Sequence, residues 1–236
     1  MAGADARVAG SRAHPISSLT TAKGNDMTGI TLYGFDGSTY VRTVRMLLAE
    51  KGARYQLVPV HVLKGEPRQP EHLARHPFGK VPVLDHDGFR VIETSAIAPY
   101  LDEVLPGASF TPDTAKDRAR MRMAIGVIDS YGYGALIGVA GFHLFPDFIG
   151  GANEDARRRG IATGRTTMAE LMRLRGADPF IAGARPSLAD FYLAPICFYL
   201  ALTPDARELF AADGFAAWWE AMQAMPSYQA TAPLLG

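Results

Sequence analysis

Residues 30–52 read ITLYGFDGSTYVRTVRMLLAEKG, and the change of period inside this stretch constrains the fold more than any other feature. ITLYG has strand character, and FDGST is a small polar knot. YVRTVRMLLAE then places Val41, Val44, Leu47 and Leu48 on one helical face, and Gly52 ends the run. Ser38 stands where strand becomes helix. Its residue type suits an N-cap, because a serine oxygen accepts from a free backbone N–H. The same hydroxyl is a candidate chemical centre.

The alternation continues to about Leu105. YQLVPVHV reads as a second strand and PEHLARHP as a short helix or turn. KVPVLDHDGFRVIE reads as a hairpin turning at Asp87-Gly88. TSAIAPYLDEVL reads as a helix, with Pro99 past its first turn. LPGASFTPDT breaks the composition and marks a boundary, and the chain beyond it reads as helical throughout. The expected helices cover about 113–134, 154–175, SLADFYLAPICFYLAL, 205–211 and 214–225. The third is apolar nearly all round, which predicts a central position. Three regions follow: an extension over 1–29 that reads as disordered, an α/β part over 30–106, and an all-helical part over 113–236.

Composition excludes several functions. Lys plus Arg and Asp plus Glu balance at 24 each, which removes the simplest electrostatic case for nucleic acid or an anionic membrane. Cys197 is the single cysteine, so neither an internal disulfide nor a CxxC pair exists, and its apolar surroundings predict a buried thiol. The six histidines show no HExxH and no cysteine partner, so no metal is expected. No apolar stretch is read as long enough to span a bilayer. The extension 1–29 lacks the apolar middle of a secretory signal.

Four local patterns carry chemistry. Val81-Pro82 opens a strand, where proline belongs at an edge or a cis turn, and a cis bond there leaves the Val81 backbone free to pair with an extended ligand. Glu93-Thr94 ends a strand and opens a helix. Free N–H groups there favour a carboxylate while the Glu93 side chain favours an ammonium, a combination suited to an amino-acid head group. Ser187 to Asp190 form a capping-box variant that starts the buried helix. Tyr131, Tyr133, Phe142, Phe145 and Phe148 are either helix core or the lining of an apolar pocket.

From Ile30 to about Tyr228 the chain resembles the cytosolic glutathione transferases. The resemblance is carried by GSTYVRTVR, HPFGKVPVL, IETSAIAPYL, PSLAD and FAAWWEAM, in that order, and KGEPRQPEHLARHPFGKVPVL is most similar to the phi and theta groups. It implies a thioredoxin-like α/β N-terminal domain followed by an all-α helical bundle. It also implies glutathione as co-substrate, a small hydrophobic electrophile as second substrate, a homodimer and a cytoplasmic location. By the same resemblance Ser38 activates the thiol, Arg68 meets the glycine carboxylate, Lys80 and Val81 hold the cysteinyl backbone, and Glu93 and Thr94 hold the γ-glutamyl group. Pro67, His76 and Thr94 depart from the family's usual histidine, asparagine and serine. Tyr33, on the first strand, is the rival for the hydroxyl role. Isomerisation, dehalogenation or peroxide reduction on the same fold, and a docking module without catalysis, are the alternatives.

Overall fold

The computed structural model describes residues 29–234, so the expected extension over 1–29 lies outside the described residues apart from Gly29. Strand β1 (Ile30–Gly34) leads into helix α1 (Thr39–Glu50), and β2 (Gln56–Pro59) returns parallel to β1. The second strand is shorter than its apolar run suggests. His61 leaves the ladder because its N–H donates to the Glu66 carboxylate at 2.6 Å, and two 3-10 turns follow before helix α2 (Pro70–Leu73). β3 (Val83–His86) and β4 (Phe89–Ile92) form the expected hairpin, with Asp87 and Gly88 both at positive φ as a tight turn requires. The sheet order is β2-β1-β3-β4. Helix α3 (Thr94–Val104) then packs beside α1 and continues through Pro99.

All four residues assigned to the buried face of α1 are fully buried. The opposite face is buried too, because α1 lies between the sheet and the helical part. There Thr43 donates to the Phe191 carbonyl at 2.9 Å. Arg42 donates to the Tyr228 carbonyl at 2.8 Å, and its guanidinium sits 4.2 Å from the Tyr228 ring and 4.7 Å from that of Phe198.

The helical part departs from expectation at its first element. The helix does not end at Gly134. Helix α4 (Ala115–Val127) passes through one turn of π geometry (Ile128–Gly132) into helix α5 (Tyr133–Leu144). Gly134, the expected end, has open space beside it and is carried through within the helix, while two other glycines of the run serve packing. A Cβ on Gly132 would lie 2.7 Å from Thr167 and one on Gly141 would lie 2.5 Å from Ile149. The continuous run Ala115–Leu144, with mean hydropathy 1.4 over its most apolar window, is long and apolar enough to cross a bilayer by composition, contrary to the sequence expectation. In the fold α5 packs on α6 (Glu154–Arg175) and on α7 (Leu188–Leu200).

Helix α7 is buried almost all round, as its apolar sequence predicts, and it encloses Cys197. Its start is the expected box. Ser187 donates through N–H and hydroxyl to Asp190 Oδ2, both at 2.8 Å, while Ile181 N–H and Trp218 Nε1 donate to Oδ1 at 3.0 and 2.8 Å. Trp218 belongs to α9 (Phe215–Gln223), which follows the short α8 (Ala206–Leu209), so PSLAD and FAAWWEAM meet at one buried carboxylate. A last helix, α10 (Pro226–Ala230), lies outside the expected set and packs on α1.

Candidate active site

The turn from β1 to α1 is built for its serine. Ser38 N–H donates to the Phe35 carbonyl at 2.9 Å, and Ser38 has extended backbone angles as the N-cap of α1. Its Oγ accepts from Val41 N–H at 3.4 Å, a long bond that leaves the hydroxyl available. From the other side, the Tyr199 hydroxyl on α7 donates to the Gly37 carbonyl at 2.6 Å. Asp36 pairs with Arg45 and also accepts from Leu234 N–H at 2.9 Å.

This turn borders a cleft of about 1090 Å³ between the α/β part and the helical part. Every sequence-predicted site residue lines it: Ser38, Arg68, Lys80, Val81, Glu93 and Thr94. The Val81-Pro82 bond is cis, and the Val81 backbone has no hydrogen-bond partner among the described residues. His72, nearly fully buried, donates through Nε2 to the Lys80 carbonyl at 2.7 Å and so pins the loop leading to Val81. Glu93 caps α3 at φ 70°, a positive angle that a glutamate adopts at a cost of about 1–3 kcal/mol. Its carboxylate is 62% exposed and lies 3.8 Å from His76 Nε2. Burial lowers the His76 pKa against the pull of Glu93, which keeps the ring neutral near pH 7. Thr94, buried, is the first residue of the helix.

Tyr33 does not line the cleft. Its ring lies under the Arg75 guanidinium at 4.5 Å. Of the aromatic group noted in the sequence, Tyr133, Phe145 and Phe148 face the cleft. Tyr131 is 68% exposed, and Phe142 packs against Arg157. Residues that sequence reasoning missed complete the walls. They are Tyr40 and Asp129, joined by a 2.7 Å bond from the Tyr40 hydroxyl, together with Tyr199 and Leu202. Burial raises the pKa of Tyr40 and Tyr133 and pushes Tyr199 up to about 12, so these hydroxyls remain donors near neutral pH.

The cleft therefore offers an unpaired backbone edge at Val81, a helix start beside an exposed carboxylate and a serine hydroxyl, next to a large apolar space. Comparisons with known proteins point the same way. Residues 28–103 match the sequence profile of the glutathione S-transferase N-terminal domain, and residues 154–224 match that of the C-terminal domain. A maleylacetoacetate isomerase of Rhizobium meliloti is 35% identical over 175 residues, covering 70% of this chain and 78% of its own. Glutathione S-transferase 4 of Zea mays is 29% identical over 204 residues, covering 84% and 89%. The solved structure of glutathione S-transferase I bound to lactoylglutathione superposes with a TM-score of 0.76 at 26% identity, covering 86% of this chain and 98% of that one. With both halves of the chain matched in order on the same two-part fold, the chain belongs to the glutathione S-transferase family.

Proposed function

We propose that the protein transfers glutathione to a small apolar electrophile. Glutathione lies along the α/β side of the cleft. Its γ-glutamyl ammonium meets Glu93 and its α-carboxylate meets the N-terminus of α3 at Thr94. Its cysteinyl backbone is held at Lys80 and Val81, and its glycine carboxylate meets Arg68. The thiol then reaches Ser38. An alcohol holds its proton too tightly to act as base, so Ser38 serves by donating a hydrogen bond to the thiolate. The thiol proton passes to solvent as the thiolate forms, the sulfur lone pair forms the new C–S bond, and the leaving group departs with the electrons of the bond it breaks.

The energetics close without a metal. A free thiol with a pKa of about 8.5 is only a few per cent ionised at pH 7. Lowering that pKa by about two units requires roughly 2.7 kcal/mol. A hydrogen bond to a charged group contributes about 1.5–3 kcal/mol. The N-terminus of α1 adds about 0.3–1 kcal/mol.

The carrying observation is that the Ser38 turn, the Val81 backbone and the Glu93-Thr94 helix start share one cleft with an apolar wall. A second reading, glutathione-dependent isomerisation, is favoured by the 35% identical maleylacetoacetate isomerase. It uses the same thiolate but returns glutathione unchanged. Calorimetry with glutathione, followed by turnover of a neutral aryl halide, separates the readings. Net loss of free thiol supports transfer, whereas binding without thiol loss from any acceptor supports isomerisation. The absence of binding heat at millimolar glutathione removes both and leaves a docking module. The proposal extends to a cytoplasmic homodimer with a role in detoxification, and light scattering at micromolar concentration tests the dimer.

A further inference from the structure

The two sides of the cleft differ in charge. The α/β side contributes Arg68, Lys80 and Glu93, all of which the glutathione pose uses. The helical side is lined by aromatic and aliphatic residues such as Tyr133, Ile137, Phe145 and Phe148, with a single charged residue among those described, Asp129. Asp129 lies in the π turn between α4 and α5. Asp129, Tyr133 and Ile137 follow at intervals of four, so they form one stripe along the wall that faces the second substrate. π turns inside helices are frequent at functional sites.

Asp129 is solvent-exposed in the open cleft and is held there by one hydrogen bond. The Tyr40 hydroxyl donates to its Oδ1 at 2.7 Å, and the Tyr40 ring packs on Tyr133 with centroids 4.5 Å apart. Oδ2 has no hydrogen-bond partner among the described residues, and no cation among them is paired with the carboxylate. The result is an oriented acceptor-only group on a wall that is otherwise apolar or hydroxylic. Partial desolvation raises the Asp129 pKa, as does the Glu93 charge, while the Tyr40 hydrogen bond favours the ionised form.

We propose that Asp129, positioned by Tyr40, determines which second substrates the cleft accepts. Neutral electrophiles carrying an N–H or O–H donor are favoured, and electrophiles carrying a carboxylate are turned away. This inference rests on the transferase reading above and adds the substrate class to it. The physical basis is twofold. A donor on the electrophile can take the place of water at the exposed Oδ2, whereas a carboxylate placed there meets a like charge that no cation among the described residues is paired with. It also separates this chain's preference from that of a relative whose named substrate, maleylacetoacetate, is an organic acid.

The test uses two aryl chlorides of nearly equal size, 4-chloro-3-nitrobenzamide and 4-chloro-3-nitrobenzoate. In both, the thiolate sulfur bonds to the ring carbon and chloride leaves with the C–Cl electron pair. The measured quantity is the benzoate-to-benzamide ratio of kcat/KM, corrected by the ratio of the uncatalysed rates. In the wild type this corrected ratio should lie below one. D129N should raise it by about tenfold, since the like charge is removed. D129E should restore most of the wild-type discrimination, and Y40F should weaken it. A ratio unchanged within twofold in D129N, with wild-type turnover present, overturns the proposal and leaves the transferase reading standing. The proposal fails equally if D129N weakens glutathione affinity by calorimetry without moving the ratio, because Asp129 then serves the γ-glutamyl ammonium beside Glu93. A wild type that neither binds glutathione nor conjugates either chloride overturns the transferase reading and this one with it.

Discussion

The Tyr199 hydroxyl donates to the Gly37 carbonyl at 2.6 Å, and so a residue of α7 holds the peptide immediately before Ser38. The two residues are 162 positions apart in the chain. The helical part thus positions the turn on which the proposed thiol activation depends. Y199F keeps the ring, which sits edge-on to Phe145 at 5.8 Å, and removes only the donor. Its expected cost is about 1 kcal/mol of stability. The informative readout is the pKa of bound glutathione, followed by thiolate absorbance. It should rise in Y199F while glutathione affinity changes little. A stability loss with an unmoved thiol pKa would restrict Tyr199 to a structural role.

For Ser38 itself the long 3.4 Å capping bond predicts a small structural effect. S38A should cost about 1 kcal/mol or less of folding stability. Glutathione should still bind, since its charged ends are held elsewhere. The bound thiol pKa should rise by about one to two units, and turnover near pH 7 should fall roughly ten- to hundredfold. Activity should recover in part at high pH, where the thiol ionises unaided. Y33F is the control. A pKa rise in Y33F instead of S38A would transfer the role to the tyrosine.

Glu93 is expected to act on binding more than on chemistry, because in the proposed pose it meets a group remote from the sulfur. E93A should raise the glutathione KM by about tenfold and change kcat much less. Alanine at φ 70° carries the same backbone strain as glutamate, so E93G serves as the partner variant. If E93G, which also lacks the carboxylate, keeps the wild-type KM, the Glu93 charge is not what holds glutathione.

Lys51 and Asp102 supply a prediction about stability. Their charged atoms are 2.9 Å apart, with each side chain 1% exposed. Burial alone would raise the Asp102 pKa. Hydrogen bonds from Phe110 N–H, Lys51, Thr111 N–H and Ser109 more than offset it and hold the carboxyl below its ordinary range. A carboxyl depressed in the folded state stabilises above its unfolded pKa of about 3.9, and that stabilisation is lost as pH falls toward the folded value. D102A should lose about 3–5 kcal/mol at pH 7, because it strands a buried ammonium. D102N should show a flatter fall in urea-derived stability below about pH 4 than the wild type. Parallel acid profiles would contradict the assignment.

Local patterns in the sequence announced much of this. The face of α1, the hairpin turn at Asp87-Gly88, the box at Ser187 and the burial of Cys197 are each decided within a few residues, where period, cap chemistry and turn chemistry act. The positions of Glu93-Thr94 and Val81 were legible for the same reason. The helix through Leu144 was hidden because glycine disfavours a helix by propensity, and the packing of α5 on α6 and α7 that overrides it is not legible locally. The Tyr40–Asp129 bond spans 89 positions, and a carboxylate in a helical stretch reads as solvated until a partner comes into view. Tyr199 was hidden likewise, as one more aromatic residue in an apolar run.

Cys197 is fully buried in α7 and is the chain's only sulfhydryl, with a thiol that burial holds well above its ordinary pKa. Any reactive sulfur in the cleft therefore arrives with a ligand. A thiol-directed dye added to the native protein has no background of its own to report, so in a mixture with glutathione it counts glutathione. Oxidised glutathione finds no exposed sulfur with which to exchange. A shift of the surroundings toward oxidising conditions would deplete the co-substrate while leaving the folded catalyst chemically unmarked, and activity should return as soon as fresh thiol is supplied.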